Sequence, residues 1–151
     1  MRKILMVCLG NICRSPLAHG ILSHKAKEKK INLIVDSAGT GNWHTGNKPD
    51  SRSINIAKKF GIDISNQKAR QITKDDLFEY DLIYVMDTQN KRDVYKLCTN
   101  ESQKLKVKLI LNEVNVDSNN SVPDPYYDEI DGFEEVYKLL NEACQKIIDK
   151  I

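Results

Sequence analysis

The chain has 151 residues, 40% of them hydrophobic and 29% charged, a balance that suits one globular domain and excludes a mainly disordered or collagen-like chain. Lys and Arg number 23 against 21 Asp and Glu, a formal charge of +2, too small an excess to point to nucleic acid or a membrane surface. No apolar run approaches the roughly eighteen residues of a membrane-spanning helix.

Met1-Arg2-Lys3 followed by Ile4 to Leu9 briefly imitates a signal peptide. The apolar run stops by Gly10, polar residues follow, and no small-residue cleavage site is present. A cytoplasmic protein is expected. Its four cysteines, Cys8, Cys13, Cys98 and Cys144, are then read as free thiols. Ile4–Val7 is a continuous apolar run, the pattern of a strand buried on both faces. Ser15-Pro16 opens a helix, Ser as N-cap and Pro in the first turn. Leu17, Ala18, Ile21, Leu22 and Ala26 form its apolar stripe. A second strand is expected over Ile31–Val35, then a long loop from Asp36 to Pro49. A helix over Ser51–Phe60 is stopped by Gly61. Leu82–Met86 and Val107–Leu111 read as further strands, with a helix over Asn90–Leu97 between them. Asn112–Tyr127 reads as a polar loop, and a last helix runs from about Gly132 to the end.

This alternation predicts a single α/β domain over residues 1–151, a four-stranded parallel sheet with helices on both faces. Ligands of such sheets bind beyond the carboxyl ends of the strands. The loop after the first strand reads Cys8-Leu9-Gly10-Asn11-Ile12-Cys13-Arg14-Ser15. Five residues between Cys8 and Arg14 can curl so that successive N–H groups face one concavity, a nest for an anion. The following helix adds its free N–H groups and positive end, and Arg14 adds a planar fork for phosphate oxygens. Positive surroundings of this kind favour the thiolate, and a thiolate beneath a phosphate is placed for in-line attack. The alternative is a buried strand cysteine beside a solvent-facing arginine.

Asp124 stands between Pro123 and Pro125. It is either an ordinary turn residue or a carboxyl group positioned to protonate a leaving oxygen. Glycine-rich nucleotide motifs are absent. Neither the cysteines nor His19, His24 and His44 are spaced as zinc ligands, so no metal and no cofactor are expected.

Val7-Cys8-Leu9-Gly10-Asn11-Ile12-Cys13-Arg14-Ser15-Pro16, with Asp124-Pro125-Tyr126-Tyr127 near the C-terminus, resembles the low-molecular-weight protein tyrosine phosphatases. The resemblance spans essentially the whole chain. Asp36-Ser37-Ala38-Gly39-Thr40, Trp43, Lys68-Ala69-Arg70-Gln71 and Met86-Asp87 with Asn90 fall where that family places similar segments. It implies hydrolysis of phosphotyrosine and small aryl phosphates through a phosphocysteine formed on Cys8. Arg14 and the N–H groups of the loop, Leu9 to Cys13, would hold the phosphoryl oxygens. Asp124 would protonate the phenol and then activate water. Ser15 would donate to the sulfur, and Asn11 would hold a left-handed position and tie the loop to Ser37. The Ser37 hydroxyl could equally cap local backbone.

Trp43, Tyr126 and Tyr127 would wall a slot for an aromatic ring, with core packing of one of them the alternative. One departure is Gln67, where family members often carry His. Cys13 is a candidate redox partner for Cys8, or a small hydrophobe beneath the loop. Partners implied are phosphotyrosine proteins or peptides and inorganic phosphate or similar oxyanions, without nucleic acid or membrane. A monomer is expected, with weak self-association left open.

Three rivals remain. Related protein-arginine phosphatases tend to carry Thr where this chain has Ile12. Related thiol-dependent arsenate reductases need two further, closely spaced cysteines. A phosphate-binding module without turnover would have lost Cys8, Arg14 or Asp124.

Overall fold

The computed structural model describes residues 2–126 and 130–151. Four strands, β1 (Arg2–Cys8), β2 (Leu33–Gly39), β3 (Leu82–Val85) and β4 (Val107–Leu109), form one parallel sheet in the order β2-β1-β3-β4. Around it lie α1 (Arg14–Glu28), α2 (Ser51–Lys59), α3 (Asp76–Glu79), α4 (Thr88–Tyr95), α5 (Glu101–Lys106) and α6 (Ile130–Asp149). Alternation along β1 divides the core. Ile4 and Met6 pack with α1 and α6, whereas Leu5 and Val7 pack with Leu77, Ile83 and Val94 on the opposite face. A strand covered on both sides must be apolar at every position. That explains the unbroken run of β1 and the helices on both faces of the sheet. Among the described residues no helix is long and apolar enough to cross a membrane.

The chain leaves β1 for β2 on one side and returns to β3 on the other. The carboxyl ends of β1 and β3 therefore flank the switch in strand order where such sheets take ligands. The loop at 9–13 opens there.

Several element bounds depart from the sequence reading, each for a local reason. β2 begins at Leu33 and continues through Asp36-Ser37-Ala38-Gly39. This polar stretch reads as loop, but it pairs residue for residue with Leu5–Cys8 at the sheet edge. Gly39 is required at its end, since a Cβ there would come within 2.7 Å of Leu9 O and 3.1 Å of Asn11 N. Ser15 is not the N-cap of α1. The helix starts at Arg14 behind Cys13, without a side-chain cap, because the Ser15 hydroxyl is engaged elsewhere. β4 stops at Leu109, and Ile110–Glu113 turns into a 3₁₀ helix. α4 starts two residues early at Thr88, capped by Asp87, and α6 starts at Ile130. The single-turn α3 and the six-residue α5, capped by Asn100, are too short to show a helical period.

Candidate active site

The loop at 9–13 is held from outside by its carbonyls. Cys8 O accepts from Thr40 N at 2.9 Å, Leu9 O from Gly41 N at 2.9 Å and Ile12 O from Asp50 N at 2.8 Å. Cys13 O accepts from the buried Ser53 hydroxyl at 3.2 Å. With these carbonyls tied outward, the amide dipoles point inward. The N–H groups of Gly10, Ile12 and Cys13 find no acceptor among the described residues, the condition of a nest awaiting an anion. The uncapped start of α1 opens onto the same space.

Cys8 lies at the floor, 2% exposed. Its Sγ accepts from Asn11 N at 3.3 Å and lies 3.0 Å from Ser15 Oγ. The direction of the second contact follows from its neighbour. Asn11 Nδ2 donates to Ser15 Oγ at 2.7 Å, so the hydroxyl proton is free to point away. Its acceptors are Cys8 Sγ and, at 3.5 Å, Ala38 O. The shorter contact aims it at sulfur.

Asn11 adopts φ 58°, the left-handed region that Asn tolerates best after glycine. Its Oδ1 accepts from Arg70 N at 3.0 Å. The expected tie from Asn11 to Ser37 is not formed. Ser37 lies in register with Met6 on β2, on the face turned to α1. There its hydroxyl meets His19 Nδ1 at 3.2 Å and donates to Gln67 Oε1 at 3.5 Å. Gln67 Nε2 in turn donates to Pro16 O at 3.1 Å. The amide thus braces the first turn of α1 where family members often carry His. Burial holds the His19 imidazole below its ordinary range, with Asp36 opposing.

Arg14 is 2% exposed. Its Nη1 donates to Asp87 Oδ2 at 2.7 Å and to Val122 O at 3.0 Å, and its Nη2 lies 3.6 Å from Asp124 Oδ2. Burial opposes its charge, but Cys8, Asp87 and Asp124 outweigh burial and raise its pKa. Asp87 had no assigned role in the sequence reading. It orients Arg14 with one oxygen and caps α4 with the other, through Asn90 N at 2.7 Å.

Asp124 is half-exposed at the cavity edge, its Oδ1 accepting from Tyr126 N at 3.1 Å in a tight local turn. That turn is fastened by Arg52, whose Nη2 donates to Tyr126 O at 2.8 Å and pairs with Asp50. The Arg52 guanidinium also lies over the Phe133 ring, 4.4 Å from its centre. Asp50 and Asp87 are the N-caps of α2 and α4, and Arg52 follows the first of them in the opening turn of α2; local rules mark such carboxylates as caps and say nothing of the partners they hold at the site.

These residues enclose a cavity of about 350 Å³ lined by Cys8, Leu9, Gly10, Ile12, Cys13, Arg14, Trp43, His44, Asp124 and Tyr126. Ile12 is buried, whereas Trp43 is 69% exposed. A Trp so exposed leaves a large apolar face for something else to cover. His44 was missed in the sequence. Its ring leans on Gly10, where a Cβ would come within 3.0 Å of it, and tilts against Tyr126 at 6.2 Å. Tyr127, the third expected wall, lies outside the described residues. Cys13 shares the cavity. Burial pushes its thiol far up, and Asp50, Cys8 and Asp124 add to that against Arg52.

A family model described as low molecular weight phosphotyrosine protein phosphatase matches residues 3–151. The low-molecular-weight protein-tyrosine-phosphatase YfkJ of Bacillus subtilis is 37% identical over all of this chain and 96% of its own, and its crystal structure superposes with a TM-score of 0.91. A protein tyrosine phosphatase of Entamoeba histolytica, crystallised with Hepes in its active site, gives 0.93 at 34% identity, covering 99% of this chain and 96% of its own. The Drosophila arginine phosphatase gives 0.91 at 29% identity, over 98% and 96%. The fold and the similarity extend over nearly the entire chain, and on that ground the chain belongs to the low-molecular-weight phosphotyrosine protein phosphatases.

Proposed function

We propose that residues 1–151 act as one phosphatase domain that hydrolyses phosphotyrosine, in proteins or peptides and as small aryl phosphates, through a phosphocysteine on Cys8. Cys8 Sγ attacks phosphorus in line. The P–O bond to the phenol breaks, and Asp124 gives the leaving oxygen its proton. The resulting carboxylate then takes a proton from water as the water attacks the phosphocysteine. Phosphate is released and the thiolate returns. Arg14 and the N–H groups of the loop bear the charge on the equatorial oxygens, and Ser15 donates to the departing sulfur.

The observation that carries this reading is the floor of the cavity. A cysteine sulfur faced by Asn11 N and Ser15 Oγ lies under N–H groups without an acceptor among the described residues, beside a buried arginine held by Asp87. Ile12, Trp43 and Tyr126 around it suit a flat ring. A phosphoserine is too short to carry its phosphorus to the floor past those walls. Phosphoarginine needs polar contact for its guanidinium, and Ile12 presents an apolar wall where related arginine phosphatases tend to carry Thr. A free nucleophilic thiol persists most readily where thiols are kept reduced, which supports a cytoplasmic location. Cys13, in the same loop, is the partner that would trap oxidised Cys8 as a disulfide.

Hydrolysis of a chromogenic aryl phosphate tests the reading. Turnover is expected without added metal and unchanged by EDTA, and Cys8→Ser is expected to abolish it while phosphate still binds. Activity that a chelator removes and a divalent ion restores contradicts the mechanism.

A further inference from the structure

A second cavity, of about 370 Å³, shares Leu9 and Trp43 with the catalytic one. These two side chains are thus the partition between them. The Trp43 ring lies against Gly41 and fills the space a Cβ there would need. The lining is mostly apolar and includes buried Ile72 and half-buried Leu97. Its two charged lining residues, Asp93 and Lys96, pair with each other at 3.7 Å, and Asp93 also accepts from Gln89 Nε2 at 3.0 Å. The lip therefore offers no unopposed charge to attract an ionic group. Gln71, at the outer edge, donates to Thr40 O at 3.1 Å.

We propose that this cavity is a second substrate subsite, which takes an apolar side chain two residues from the phosphotyrosine. The proposal rests on the phosphotyrosine reading above. In an extended peptide, side chains two residues apart point the same way and stand about 6.6 Å apart. With the phosphotyrosine ring in the catalytic cavity, that spacing carries the neighbouring side chain across one partition and into the second cavity. The exposed faces of Leu9 and Trp43 are then covered from both sides by the same bound chain.

Phosphotyrosine peptides with alanine flanks, and with Leu or Asp introduced two residues before or two after, provide the test. Leu at one of the two positions is expected to raise kcat/KM about tenfold over Ala, as burial of most of one apolar side chain allows, and Asp is expected to give no gain. Two variants probe the cavity itself, Leu97→Asp, which makes its wall polar, and Gln71→Trp, which fills it from the exposed edge. Both are expected to keep wild-type turnover of a small aryl phosphate and to lose the preference for Leu. Gln71→Trp decides alone if Leu97→Asp does not fold. No gain from Leu at either position, or a gain that survives in a folded variant, overturns the subsite. If wild type turns over aryl phosphates but no peptide of the set, the protein-phosphatase reading falls and the subsite with it.

Discussion

Asp87 makes two separable contacts, and substitutions there test whether Arg14 works because it is held. One carboxylate oxygen accepts from Arg14 Nη1 at 2.7 Å, and the other accepts from Asn90 N, also at 2.7 Å, at the start of α4. In Asp87→Asn the amide oxygen can keep the cap, but the amide nitrogen then faces Arg14 donor to donor. The loss is one hydrogen bond to a charged group, about 1.5–3 kcal/mol. Asp87→Ala loses the cap as well, a further ~1 kcal/mol. At ~2–4 °C per kcal/mol for a domain of this size, Tm should drop by about 3–12 °C in Asp87→Asn and by a further ~2–4 °C in Asp87→Ala. Arg14 keeps its bond to Val122 O but loses its fixed fork. A misplacement of that order costs about 10–100-fold in kcat/KM on aryl phosphate. Thermal unfolding and steady-state hydrolysis read the two effects independently. Wild-type kcat/KM in a folded Asp87→Asn enzyme would refute the orienting role, and equal Tm values for the Asn and Ala variants would refute the cap.

Asp124→Ala should slow phenyl phosphate far more than an ester of a very acidic phenol, which leaves without a proton; equal losses would remove Asp124 as the acid. Ile12→Thr should raise activity on phosphoarginine relative to phosphotyrosine peptides, and an unchanged ratio would remove Ile12 from the specificity argument. Burial lowers the pKa of His19 in the folded chain, so as pH falls through the ordinary value of 6.5 the unfolded chain takes up this proton more readily than the folded one. Stability to urea should therefore fall as pH drops below about 6.5, by at most ~1.4 kcal/mol per pH unit from this group; an identical pH slope in His19→Gln would contradict the assignment. After peroxide, closure of the Cys8–Cys13 disulfide should be slow near neutral pH and accelerate by up to about tenfold per pH unit, because burial and Asp50 keep Cys13 a thiol. Cys13→Ser should lose activity irreversibly under the same treatment, and equal recovery with thiol would refute a protective role.

What the sequence made legible were the features with a run or a spacing. The apolar stretch of β1, the interval from Cys8 to Arg14 and the proline-flanked Asp124 are each contained in a single local segment; β1 ends in Cys8, and Cys8, Arg14 and Asp124 line the cavity. Contacts made by single residues distant in the chain were not legible. Asp87 reaches Arg14 across 73 positions, and Arg52 fastens the Tyr126 turn across 74. The polar end of β2 read as loop because the side chains of Asp36 and Ser37 are satisfied by Arg70, His19 and Gln67, partners that only the fold supplies. Ser15 shows the opposite error. Local rules make it a helix cap, but the sulfur and Asn11 take its hydroxyl, and the helix end is left uncapped toward the anion nest.

The central claim is that phosphorus passes through Cys8. The Asp124→Ala enzyme suits the measurement, because an aryl phosphate with an acidic phenol forms the intermediate readily while its hydrolysis lacks the base. Mixed with that substrate, quenched in acid and digested, the protein should carry a phosphoryl group on the peptide containing Cys8, in step with a burst of phenol. A phosphoryl group on any other residue, or a burst of phenol with unmodified Cys8, would contradict the account.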